Sequence, residues 1–172
     1  MQYTLAILVE DEPWILTRMA SLFSRRGYNI DSITVGPSEE KGISRIILVL
    51  PGTPKLIDQL IKQLYKLIHV LKIQDITNVP CVERQLALIK LRATKESRSK
   101  IMEIASIFRI KVVDINECAL TLEITGDPGK MYALEKLLIP FEILEVAKTG
   151  KISLVRESKI NTEFLKYGIT NF

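Results

Sequence analysis

The sequence is poor in the side chains that most often carry catalysis. It has one histidine, His69, and two cysteines, Cys81 and Cys118, among 172 residues. His69 falls between a predicted helix and a predicted strand, with no nucleophile or orienting carboxylate suggested nearby, and this favours a structural or solvated role over a general base. The two cysteines lack the short spacing of zinc or redox motifs, which favours free, buried thiols in a reducing compartment.

Motifs of known catalytic and metal sites are also missing. The sequence contains no GxSxG, HExxH or paired zinc motif. The segment GDPGK at 126–130 is shorter than the phosphate-binding motif GxxxxGK[ST], so helix capping by Asp127 is the better interpretation. We therefore expect no catalytic residue and no metal site on this chain.

Long apolar runs and signal-like segments are absent as well. The composition is 47% hydrophobic, enough for a core, yet no apolar run approaches the roughly 20 residues of a spanning helix. The first residues, MQYT, lead directly into a predicted strand without a basic start or an apolar signal region. We expect no membrane association, and either synthesis in the working compartment or a targeting segment that is not part of this sequence.

The best-defined stretch of the chain is DEPWILTRMASLFSRRGYNIDSITVG at 11–36. It predicts a helix at 13–26 that is capped by Asp11, ended by Gly27 and followed by a strand at 29–35. One apolar face recurs at helical spacing: Ile15, Leu16, Met19, Leu22 and Phe23. A helix N-terminus beside a strand that can pair at an edge predicts a sensor for a small carboxylate.

The first half of the chain has the element order βαββαβ. Apolar runs and turn residues predict strands at 3–9, 29–35, 45–50 and 70–76, and helices at 13–26 and after the cap Thr53. The second helix has a clean apolar stripe: Leu56, Ile57, Leu60, Ile61, Leu64, Leu67 and Ile68. This order is that of a ferredoxin-like unit.

The same order is predicted again in the second half. Strands are expected at 85–91, 110–115, 119–124 and 141–147, with helices after Thr94 and after Asp127. We therefore predict an α+β fold of two tandem ferredoxin-like βαββαβ domains, with bounds 1–78 and 79–150. The remaining residues, 151–172, have little periodicity and are predicted to form a C-terminal tail.

Ferredoxin-like folds also include RNA-binding domains, which stack bases on aromatic residues of their central strands. The candidate central strands here, RIILVL at 45–50 and ALTLEI at 119–124, contain no aromatic residue. Basic residues such as Arg25 and Arg26 are typical of a solvated helix surface. We expect no nucleic-acid partner, and RNA binding stays a third alternative.

Several segments resemble the acetolactate synthase small-subunit family, the regulatory subunits of acetohydroxyacid synthase. The most specific are LFSRRGYNIDSITVGPSEEKGISR at 22–45 and VERQLALIKL at 82–91, joined by QLYKLIHVLKI at 63–73, IFRIKVVDI at 107–115 and TGKISLVRE at 149–157. Together they cover nearly the whole chain. The resemblance implies that the first domain is an ACT domain, a small regulatory module that dimerises and binds amino acids at the interface.

The resemblance also implies a function. It predicts a non-catalytic homodimer, formed through the ACT domain, that activates a large catalytic subunit in the biosynthesis of valine, leucine and isoleucine. The large subunit would carry thiamine diphosphate, Mg²⁺ and FAD, and this chain would bind no cofactor. Valine or another branched-chain amino acid would act as feedback effector. The location implied is the bacterial cytoplasm, or the plastid stroma if the gene is plastid-encoded.

The family pattern before the first helix, close to N-x-x-G-x-L, implies the effector site. Asp11 stands at its first position and Leu16 at its last, while Trp14 replaces the glycine of the pattern. The partner subunit's Asn29 and Ile30 would face this site across the dimer. The effector residues predicted by the resemblance are Asp11, Trp14, Ile15, Leu16, Asn29 and Ile30. A stand-alone amino-acid-sensing ACT protein remains the second alternative.

Overall fold

The computed structural model describes residues 1–157 of the chain. It contains two compact units: the first is Met1–Val82 together with the described residues 153–157, and the second is Glu83–Ile152. The domain bounds predicted above stay a prediction. Of the predicted tail, 158–172 lies outside the described residues. Within residues 1–157, no helix is both long enough and apolar enough to cross a membrane.

The first unit has the predicted order βαββαβ. Its elements are β1 (Gln2–Glu10), α1 (Ile15–Arg26), β2 (Ser32–Pro37), β3 (Ile43–Pro51), α2 (Pro54–Leu64) and β4 (Val70–Asp75). The sheet order is β2-β3-β1-β4, and its three strand pairs are antiparallel. This confirms the ferredoxin-like topology expected for the first half.

Alternating residues of the central strands form the core with one face of each helix. Leu5 on β1 pairs with Leu48 on β3, and both side chains are fully buried. Met19 of α1 and Leu60 of α2 pack in the same cluster. Two residues of the predicted apolar faces are instead exposed, Leu16 by 42% and Ile68 by 83%. Ile68 lies beyond the end of α2, and Leu16 faces away from the sheet.

The start of α1 differs from the prediction. The N-cap is Trp14, which makes no side-chain cap bond, and the helix begins at Ile15 rather than at Pro13. Asp11 is not the cap, because its backbone is tied to the loop before β3: its N–H donates to the Gly42 carbonyl at 2.8 Å. Its carboxylate accepts from the Ser44 hydroxyl at 3.2 Å instead.

The end of α1 follows the prediction, but the next strand begins late. Gly27 has φ 66°, and the Tyr28 amide donates back to the Phe23 carbonyl, as in a Schellman motif. Tyr28 and Ile30 then pack against the core. Because these residues complete the helix end and the core, β2 starts at Ser32, and Asn29 lies in the loop rather than in the predicted strand.

The second set of elements repeats the order and adds one strand. Its members are β5 (Cys81–Arg92), α3 (Lys95–Ile107), β6 (Lys111–Ile115), β7 (Ala119–Gly126), α4 (Pro128–Leu138), β8 (Ile143–Lys148) and β9 (Ile152–Val155). The sheet order is β6-β7-β5-β8, and β9 pairs with β5. β9 was predicted as part of an irregular tail, since a strand of four residues is too short to give a readable alternation.

The predicted caps of the later helices are confirmed. The hydroxyl of Thr53 accepts from the Leu56 amide, Thr94 and Ser97 form a reciprocal capping box, and the Asp127 carboxylate accepts from the Lys130 amide. Both cysteines are free thiols, as expected, but neither is buried: Cys81 is partly exposed and Cys118 is exposed.

Candidate functional site

The N-terminus of α1 is open to a ligand. No side chain caps it, and the amides of the first turn have no partner within the helix. The Ile15 amide donates outside the helix, to the Glu12 carbonyl at 3.1 Å, which leaves the amides of Leu16 and Thr17 for a ligand. These amides carry the positive end of the helix dipole, so the position favours an anion such as a carboxylate. Neighbouring side chains of the predicted site are Asp11 and Trp14 before the helix and Leu16 in its first turn.

Asp11 brings an exposed negative charge to this helix end. The bond from Ser44 holds one carboxylate oxygen, and Ser44 itself is buried. The anchored carboxylate of Asp11 precedes the amides of Leu16 and Thr17, so a negative charge and hydrogen-bond donors lie at the same helix end. This is the pattern needed to bind the ammonium and carboxylate groups of an amino acid.

The apolar part of the site is divided between two adjacent residues. Ile15 is only 4% exposed and belongs to the core, whereas Leu16 offers 42% of its surface. Within a single chain, Leu16 therefore presents the larger apolar surface to a ligand, whereas Ile15 packs α1 onto the core.

Trp14 stands directly at the opening of the site. Its side chain is 48% exposed, and its ring lies edge-on to that of His69 with 6.5 Å between centroids. Nδ1 of His69 lies 2.6 Å from a carboxylate oxygen of Glu10. Glu10 and His69 thus fix the ring beside Trp14, and an aromatic pair of this geometry is weakly stabilising.

Sequence reasoning missed the pairing of Glu10 with His69. The two residues are far apart in the chain, and the ladder between β1 and β4 brings them together: the Glu10 amide donates to the His69 carbonyl at 2.9 Å. The sequence did predict a ferredoxin-like fold. In that fold the first and fourth strands are neighbours, and this adjacency is the signal that could have found the pair.

Within one chain the six predicted residues do not all meet. Asn29 and Ile30 follow the C-terminus of α1, whereas Asp11, Trp14 and Leu16 lie at its N-terminus. A helix of 12 residues is roughly 18 Å long. The site therefore requires a second copy if Asn29 and Ile30 are to take part.

The outer edge of β2 is suited to pair with a second copy. The Ser38 amide donates to the Ile43 carbonyl, so the backbone N–H and C=O groups of even-numbered residues in β2 face β3. Because antiparallel bonding alternates, Ile33 and Val35 turn their backbone N–H and C=O groups to the free edge. Their side chains are each 42% exposed.

No group of three or more histidine, cysteine, aspartate or glutamate side chains capable of holding a metal ion occurs in the described part of the chain.

Two features of the molecule indicate its class: the two tandem βαββαβ units, and an uncapped helix N-terminus beside an unpaired strand edge. They are the features of proteins with regulatory ACT domains.

The comparisons with known proteins identify the family. Residues 5–72 match the model of the AHAS small subunit-like ACT domain, and residues 84–157 match the model of the small subunit of acetolactate synthase. The chain therefore belongs to the acetolactate synthase small-subunit family, as its sequence motifs predicted.

Individual relatives agree with the family models. The chain is 44% identical to a probable acetolactate synthase small subunit of Archaeoglobus fulgidus, covering 92% of this chain and 99% of that protein. It is similar in structure to the acetolactate synthase small subunit of Thermotoga maritima, with a TM-score of 0.82, 39% identity, and coverage of 91% of this chain and 98% of that one.

Plant relatives are longer. Acetolactate synthase small subunit 2 of Arabidopsis thaliana, a chloroplastic protein, is 46% identical over 95% of this chain. The chain spans only 34% of that relative and 33% of a chloroplastic relative from Nicotiana plumbaginifolia.

Proposed function

We propose that this chain is the non-catalytic regulatory subunit of an acetolactate synthase and raises the activity of a large catalytic subunit. The observation that carries the proposal is the agreement of the chain with the small-subunit family over residues 5–72 and 84–157. The thiamine diphosphate, Mg²⁺ and FAD of the reaction would reside on the large subunit. The product, acetolactate, would feed valine, leucine and isoleucine biosynthesis.

Reconstitution tests this proposal. A purified large subunit is assayed for acetolactate formation from pyruvate with increasing amounts of the full chain. We expect the rate to rise and then saturate at a fixed ratio of the two chains. An unchanged rate, with no complex detected by size-exclusion chromatography, would contradict the proposal.

The regulatory subunit would work as a homodimer paired through β2. Antiparallel pairing of the two free edges would set the beginning of one β2 beside the end of the other. The end of β2 pairs with Ser44, which binds Asp11. The partner subunit's Asn29 and the partner subunit's Ile30 precede β2, so they would approach the open end of α1 at Asp11.

Valine, or another branched-chain amino acid, would bind at this interface as an inhibitor. Its carboxylate would accept from the first-turn amides of α1, and its ammonium would bind Asp11 or the partner subunit's Asn29. Its side chain would contact Leu16 and the partner subunit's Ile30. The supporting observations are the uncapped helix end and the anchored carboxylate of Asp11.

Titration of valine in the reconstituted assay tests the effector separately from activation. We expect inhibition that saturates, and loss of this inhibition in Asp11→Ala with activation retained. Activation without any effect of valine would leave the subunit assignment standing and reject the effector. From the bacterial, archaeal and chloroplastic relatives we propose the cytoplasm or the plastid stroma as the location.

A further inference from the structure

The side chain of Tyr65 crosses the outer edge of the sheet at β4. Tyr65 is the C-cap residue of α2, and half of its side chain is exposed. Its hydroxyl accepts from the Ile73 amide at 3.0 Å and donates to the Ile73 carbonyl at 3.3 Å. One phenol therefore satisfies both backbone groups of a single strand residue.

Those two backbone groups point away from β1. The Ile76 amide donates to the Thr4 carbonyl of β1 at 2.9 Å. Gln74, two residues earlier, lies opposite Ala6 in the same register, so it also turns its backbone groups to β1. Antiparallel bonding alternates along a strand, so between the register shift at Leu8 and Ile76 the even-numbered residues of this strand bond to β1, and Ile73 faces outward. Ile73 lies at the middle of the part of β4 that would otherwise be free to pair.

A sheet with two free edges can associate without limit. If both edges paired with copies of the chain through two-fold axes, the contacts would not close and a filament would grow. We propose that the Tyr65 hydroxyl closes the β4 edge and thereby restricts strand pairing of the first unit to the β2 edge, which a second copy of this chain can occupy.

The fold itself does not require this contact. Ile139 follows α4 as Tyr65 follows α2, each as the C-cap residue of an 11-residue helix that begins with proline. Ile139 is 72% exposed and has no polar atom that could bond to β8. The same topology therefore forms with and without the phenol.

Tyr65→Phe in the full chain tests the proposal, because it keeps the ring and removes only the hydroxyl. Sedimentation velocity over a range of concentrations should give species with roughly twice the mass of the wild-type species or more. The expectation holds whether the wild type is a monomer or the proposed dimer, since the variant gains one pairing surface. An unchanged size distribution would overturn the proposal.

Two controls make the test specific. Tyr132→Phe removes a hydroxyl from a tyrosine that is 61% exposed on α4, and it should sediment as the wild type does. Adding Leu71→Lys to Tyr65→Phe places a charge on the β4 edge, where Leu71 is 46% exposed, and should restore the wild-type mass. Large species that persist in the double variant would assign the association to another surface and reject the edge.

Hydrogen exchange of the wild type supplies a measurement that needs no variant. We expect the Ile73 amide to exchange slowly although it points away from β1, because it is bonded to Tyr65. Exchange at the rate of an unprotected amide would overturn the proposal even if Tyr65→Phe failed to fold.

Discussion

The two units share one topology and differ at the ends of their helices. Both sheets place their first four strands in the same spatial order, and the buried residues of the second helices correspond. Ile57, Leu60 and Leu64 of α2 have the same spacing as Met131, Leu134 and Leu138 of α4. A matching core with different helix ends separates what the fold requires from what this molecule adds to it.

The first helices differ most clearly. The N-terminus of α3 is closed by the reciprocal bonds of Thr94 and Ser97, whereas that of α1 is left open behind Trp14. A capped end has no amides to spare for an anion, and an open end does. Of the two helices compared, only α1 therefore has an N-terminus suited to bind a ligand.

The largest expected effect tests whether the cores of the two units contribute equally to stability. Leu60 and Leu134 are both fully buried. We expect Leu60→Ala and Leu134→Ala to cost about 2–5 kcal/mol each, because each leaves a cavity in its own core. Denaturation followed by the fluorescence of Trp14, the one tryptophan, should detect the first change. Hydrogen exchange of β7 should detect the second, and equal protection before and after it would contradict the prediction.

Trp14→Gly tests the open helix end. Glycine is tolerated at an N-cap, and its small size would let a ligand carboxylate approach the first-turn amides. We expect valine to bind more tightly by about 1–3 kcal/mol, the cost of overpacking a well-fitted site. Calorimetric titration of both proteins decides it. Equal affinity, or tighter binding by the wild type, would mean that the indole does not compete with the ligand.

Val35→Lys tests the difference between the strand edges. Val35 on β2 and Val146 on β8 are almost equally exposed, at 42% and 43%. A lysine on β2 should weaken the proposed dimer at least about tenfold, or 1.4 kcal/mol, since charge on an edge opposes pairing. Val146→Lys is the matched control and should leave the dimer unchanged. Light scattering across a dilution series measures both, and equal effects would place the interface elsewhere.

The smallest expected effect concerns the caps of the two second helices. Replacing Asp127 of α4, or its counterpart Thr53 of α2, by alanine should cost about 1 kcal/mol at neutral pH. The bond from the Lys130 amide lowers the pKa of Asp127. Its stabilisation is therefore full above the ordinary aspartate pKa and is lost as the pH falls through the lowered value.

The pH dependence distinguishes the two caps. The difference in stability between the wild type and Asp127→Ala should shrink in acid, whereas the difference for Thr53→Ala should not change, because a hydroxyl does not titrate. Chemical denaturation between neutral pH and about pH 3 measures both. A constant difference for Asp127→Ala would show that the neutral side chain caps the helix equally well.

The sequence predicted the elements whose signals are local. Helix caps such as Thr53, Thr94 and Asp127 act within one turn, and the left-handed residue Gly27 ends its own helix. Alternation and helical spacing are also read within a single segment. For that reason the doubled βαββαβ order was correct, and the errors lay at boundaries.

The errors arose where a distant partner decides the outcome. Asp11 has the right side chain and position for a cap, yet the loop at Gly42 and the hydroxyl of Ser44 hold it away from α1. β9 exists because β5 offers an edge to a short segment that has no strand signal of its own.

The sequence by itself therefore determined the family, the fold class and the residues available at the open end of α1. Only the tertiary structure decided which backbone groups face outward on β2 and β4, because that parity depends on the register between strands. The same register brings Glu10 to His69 beside Trp14, and Tyr65 to Ile73. These contacts join residues whose spacing in the chain carries no periodic signal, so packing in three dimensions had to select them.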